Sequence, residues 1–109
     1  MENTESKVVA ERPKKGVIVF DKPVMFEATE HKSLDLSKLE NLTTENLIYA
    51  ETLYHKSGGS AINPETTMLY SMIIAYVASD KPYEFFDKLP VREALKIKRE
   101  IYSFFYGRA

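Results

Sequence analysis

Residues 68–78, MLYSMIIAYVA, restrict the folds open to this chain more than any other stretch. Leu69, Met72, Ile73 and Tyr76 form one stripe at helical spacing, and Met68, Ile74, Ala75 and Val77 occupy most of the remaining circumference. A helix apolar nearly all round must be covered on several sides. The spacing therefore predicts a central helix over 64–79, with Asn63 as its cap and Pro64 at its first position. Asp80-Lys81-Pro82 ends it. The run is far shorter than the roughly 20 residues that cross a bilayer, so no membrane partner is expected.

The rest of the chain supplies the cover. Leu47, Ala50 and Tyr54 recur at helical spacing in a helix expected over 43–57, where a Thr of Thr43-Thr44 caps, Glu45 suits the positive start, and Ser57-Gly58-Gly59 stops it. A short helix over 82–87 inserts Phe85 and Phe86. A last helix over 90–106, opened by Leu89-Pro90, carries Val91, Ala94, Ile97, Ile101, Phe104 and Phe105 as its apolar stripe; Arg92, Lys96, Lys98, Arg99 and Glu100 take its other faces. Upstream, β-branched and aromatic residues dominate Val17-Ile18-Val19-Phe20 and Val24-Met25-Phe26. Val24 and Phe26 point to one face and Met25 to the other, Pro23 marks a strand start or edge, and Leu34 and Leu36 return on the core side. Polar Thr29-Glu30-His31-Lys32 reads as the turn of this hairpin, over about 17–37. The fold class is α+β: a hairpin or small antiparallel sheet packed on three main helices and one short one, in a single domain of residues 16–109. Residues 1–15, with few large apolar groups, read as a flexible arm.

Chemistry is conspicuous by what is missing. The chain has no cysteine, which excludes thiol nucleophiles, disulfides and Cys-bearing zinc sites. His31 and His55 stand alone, without a second histidine one helical turn away, so each reads as a solvent-exposed residue and no metal site is expected. Ser57-Gly58-Gly59-Ser60 lacks the Gly-Lys-Ser/Thr that a phosphate loop needs and reads as a flexible connector. No catalytic residue and no cofactor site stand out. The start of the chain carries no basic-then-apolar leader, and a soluble cytoplasmic product is expected.

Charge is distributed unevenly. Residues 1–15 carry +1, residues 16–90 carry −5 and residues 91–109 carry +3. A basic last helix balances its own dipole and presents a solvated face; it also suits self-association or an acidic protein segment. Without a nucleic-acid-binding motif, no nucleic acid is expected. The aromatic end Tyr102-Ser103-Phe104-Phe105-Tyr106 cannot place all its rings on one face, so either some remain outside the core or neighbouring segments cover them. Tyr102, Phe105 and Tyr106, with Lys98 and Arg99 beside them, are the candidate partner-binding residues.

The order of these elements resembles the tail assembly chaperones of long-tailed bacteriophages and phage-tail-like particles. The likeness spans residues 17–106 and is carried by Lys22-Pro23-Val24-Met25-Phe26, by Leu34-Asp35-Leu36 with Leu39 and Leu42-Thr43, by the apolar helix ending Ala75-Tyr76-Val77-Ala78, and by Leu89-Pro90 ahead of a basic helix closing on Phe104-Phe105. Many such proteins have a glycine in the hairpin turn, which Ala28-Thr29-Glu30-His31 lacks. The resemblance implies a protein that keeps the tape-measure protein soluble in the cytoplasm of the bacterial host, helps recruit tail-tube protein, self-associates along its client and needs no cofactor. It supplies no residue-level site. A structural component retained in the tail or baseplate is the alternative.

Overall fold

Residues 70–75, six in succession, are buried, so a full turn and a half of helix is enclosed on every side. The computed structural model describes residues 16–107; the arm assigned to residues 1–15 lies outside them. The sheet is one antiparallel pair, β1 (Val17–Phe26) and β2 (Thr29–Asp35). A 3-10 turn (Ser37–Asn41) leads to α1 (Thr44–Lys56), and a second 3-10 turn (Pro64–Thr66) leads to α2 (Met68–Val77). Short α3 (Tyr83–Asp87) and long α4 (Val91–Tyr106) complete the α+β fold. Helix α2 packs against α1, α3 and α4, and α4 also meets β1.

Local chemistry explains most boundaries. Thr43 and Asn46 form a capping box, the Thr43 amide donating to Asn46 Oδ1 at 2.9 Å and the Asn46 amide to Thr43 Oγ1 at 3.3 Å. At the other end of α1, the Gly58 amide donates to the His55 carbonyl at 3.0 Å and the Gly59 amide to the Tyr54 carbonyl at 2.9 Å. With Gly58 at φ +97°, this is the Schellman arrangement. Ser57-Gly58-Gly59 thus stops α1 as the sequence indicates, through backbone hydrogen bonds to its last turn. Gly59 lies against the Tyr54 ring, where a Cβ would overlap it.

Four expectations need correction. The central helix begins at Met68, because Thr67 is extended, caps α2 by accepting from the Tyr70 amide at 3.1 Å, and separates it from the 3-10 turn at Pro64; Asn63 makes no side-chain cap. The hairpin turn is Glu27-Ala28, not Thr29–Lys32. Both turn residues have positive φ, +50° and +66°, as a tight two-residue turn requires. That conformation costs an L-residue about 1–2 kcal/mol, and the register that buries Val24 and Leu34 offsets it. His31 is therefore a β2 residue, half-buried beside Phe26 and Phe85, with its ring 5.1 Å from that of Phe85. Val91, assigned to the core stripe, is exposed; the buried stripe of α4 is Ala94, Ile97 and Ile101.

Pairing breaks between Val19↔Ser33 and Val24↔His31, so residues 20–23 of β1 bulge opposite Lys32 alone. Pro23, without an amide hydrogen, fits a bulge. Helix α4 satisfies the backbone groups released there: Glu93 Oε2 accepts from the Asp21 amide at 2.9 Å, and Lys96 Nζ donates to the Val19 carbonyl at 2.8 Å.

Candidate protein-binding face

The outer side of α4 is apolar where a solvated helix would be polar. Val91 is 71% exposed, Leu95 42%, Tyr102 46% and Tyr106 55%. Counted along the helix, 91, 95, 98 and 102 follow a four-three-four spacing, which keeps them on one face. Lys98, half-exposed, sits within this stripe, and Arg99, exposed, borders it. The buried stripe of Ala94, Ile97 and Ile101 fixes the orientation by seating on the core. Glu93 and Lys96 lock the start of the helix to the hairpin. Lys96 Nζ lies 2.6 Å from Asp21 Oδ1 and 3.2 Å from Glu93 Oε1. That last approach is an ion pair without hydrogen-bond geometry, for Glu93 Oε1 has no hydrogen-bond partner among the described residues. The Asp21 bond raises the Lys96 ammonium above its ordinary value and holds the Asp21 carboxyl below its own.

The five candidate binding residues divide in two. Tyr102 and Tyr106 face solvent with ring centroids 4.6 Å apart, beside Lys98 and Arg99. Phe105 turns inward and is half-buried, 6.1 Å from the Tyr70 ring and 5.4 Å from that of Phe104. The Tyr106 hydroxyl donates to Glu65 Oε2, which pushes the phenol up to about 12 and holds the Glu65 carboxyl below its usual range. The second 3-10 turn thus clamps the last ring of the stripe. Val91 and Leu95 belong to the same face, and the four-three-four spacing is the sequence signal that joins them to Tyr102.

No family model, curated protein or solved structure matches the chain.

Concavities are also present among the described residues. One, of about 600 Å³, lies between the first 3-10 turn and the end of α4, with Leu36, Leu39, Glu40, Glu100, Ser103 and Phe104 among its walls and neither histidine nor lysine among its described lining. A smaller cavity of about 180 Å³ is lined by Tyr49, Leu53, Ile73, Tyr76 and Tyr83. Among the described residues no three His, Asp or Glu side chains gather as a metal site, and no helix is long and apolar enough to cross a membrane. His55 is exposed, its Nδ1 3.2 Å from the Gly59 carbonyl oxygen.

Proposed function

We propose that this chain is a non-catalytic tail assembly chaperone, which binds the tape-measure protein in the cytoplasm of the bacterial host and helps recruit tail-tube protein during phage tail morphogenesis. The observation that carries the reading is the solvent-facing stripe of Val91, Leu95, Tyr102 and Tyr106 along a helix whose opposite side is anchored in the core. Exposed aromatic rings on a rigid element suit the reversible covering of apolar helices, and several copies along one elongated client gain avidity without tight individual contacts. The resemblance in element order, from hairpin to basic aromatic helix, supplies the client. Lys98 and Arg99 add charge at the middle of the stripe.

Co-expression with the tape-measure protein of the same genome tests this. Co-purification and increased solubility of that protein are expected, and both fall when Tyr102 and Tyr106 are replaced by serine. Absence of both effects with the native chain would remove the reading. Recovery of the chain in purified particles by mass spectrometry would favour a retained tail or baseplate component instead.

A further inference from the structure

We infer that the α4 stripe takes an amphipathic helix bearing carboxylates beside its apolar seam, so that the client segment of the proposed chaperone, on which this inference rests, is acidic. Val91, Leu95, Lys98 and Tyr102 follow a four-three-four spacing, with Tyr106 one turn further on, close to the period at which two helices pack side by side along a continuous seam. The seam runs the length of α4, about 24 Å at 1.5 Å per residue, so an incoming helix contacts it over several turns.

The middle of the seam decides the chemistry of that helix. Lys98 lies in the seam and Arg99 borders it, and among the described residues neither forms a salt bridge. The acidic residues of α4 do not neutralise them from within the stripe: Glu93 is buried against the β1 bulge, and Glu100 lines the concavity beside the first 3-10 turn. Pairing the stripe with its own copy about its midpoint, parallel or antiparallel, would set Lys98 and Arg99 against their equivalents. Like charges brought together in a desolvating contact oppose that assembly. A carboxylate on the incoming helix removes the conflict, and the Arg99 guanidinium can hold one through two parallel hydrogen bonds.

A second copy does offer an acidic apolar surface, where Ile48 and Tyr49 of α1 are exposed beside Glu45 and Glu51. Those two apolar residues adjoin each other on a single turn. They match one turn of the stripe, which falls well short of the roughly 1,200 Å² that a stable interface buries. A longer acidic helix fills the seam.

The test uses the full chain and two synthetic amphipathic helices with the same leucine seam, one flanked by glutamate and the other by lysine, followed by calorimetric titration at low and moderate salt. The acidic peptide should bind about tenfold more tightly, an advantage equivalent to two modest ion pairs. The preference should shrink as salt rises and reverse in the K98E/R99E variant; K98Q/R99Q, which adds no new charge, should abolish it. Equal affinity for the two peptides would overturn the inference, as would a preference that survives charge reversal. So would a native homo-oligomer that dissociates in K98E/R99E during sedimentation, because the occupant would then be a second copy. Co-expression separates the levels: loss of charge preference with the tape-measure protein still co-purifying overturns the acidic-helix inference alone. Acidic-peptide binding without co-purification supports the chemistry of the seam and removes the chaperone reading.

Discussion

Glu93→Ala should be among the most damaging single changes in the protein, although neither the residue nor its partners belong to the apolar core. The side chain is 3% exposed and reaches across 72 positions of sequence to accept the Asp21 amide at 2.9 Å. Truncation leaves that bulge amide without its acceptor, at about 1–3 kcal/mol, and empties the space of a buried side chain. Lys96 retains Asp21 at 2.6 Å and the Val19 carbonyl at 2.8 Å, so the loss stays toward the lower end of the roughly 3–5 kcal/mol typical of a broken buried pair. About 3 kcal/mol corresponds to a fall in Tm of more than about 10 °C for a domain of this size. Glu93→Gln keeps an acceptor for Asp21 and should lose about 1–2 kcal/mol, on the scale of one charge-assisted contact. Asp21→Asn alters only an exposed ion pair, and its urea midpoint should stay close to that of the native chain. Urea titrations followed by circular dichroism at unchanged m value measure all three. A Glu93→Ala protein within about 0.5 kcal/mol of the native one would show that the joint between α4 and the bulge contributes no stability, and the reasoning would fail.

The two glycines after α1 should separate by mechanism. Gly59→Ala forces a Cβ into the buried Tyr54 ring and should cost about 1–3 kcal/mol as overpacking; Gly58→Ala meets no atom within 4 Å and should lose about 1 kcal/mol through its positive φ alone. Thermal melts of the two variants give the order. Thr43→Ala removes one arm of the capping box and should cost about 1 kcal/mol, read from the same melts. The Glu65–Tyr106 pair should respond at both ends of the pH scale. The lowered carboxyl contributes stability that is present above its ordinary value near 4.5 and is lost as pH falls through its depressed value. The raised phenol contributes stability that is present below 10 and is lost as pH rises through about 12. Phenolate absorbance of the native chain minus that of Tyr106→Phe should titrate near 12, and Glu65→Gln should bring it back toward 10.

The chain's own pattern of apolar and polar residues determined the α+β class, the enclosed middle helix, a threonine cap at Thr43-Thr44, the insertion of Phe85 and Phe86, and the core contacts of Leu34, Leu36, Ile97 and Ile101. Burial periodicity and capping depend on neighbours a few positions away, so they are readable in one dimension. The tight turn at Glu27-Ala28, the burial of Glu93 and the outward position of Val91 were decided only by the tertiary structure. Each depends on distant partners: the register that buries Val24 against the core, the bulge amide of Asp21, and the rotation of α4 fixed by Ala94, Ile97 and Ile101. The binding face follows the same rule. Its aromatic end was visible in composition, but its extension through Leu95 to Val91 appeared once packing had chosen which side of the helix the core would claim. A single residue type fits either side of a helix, and only the sum of long-range contacts selects between them.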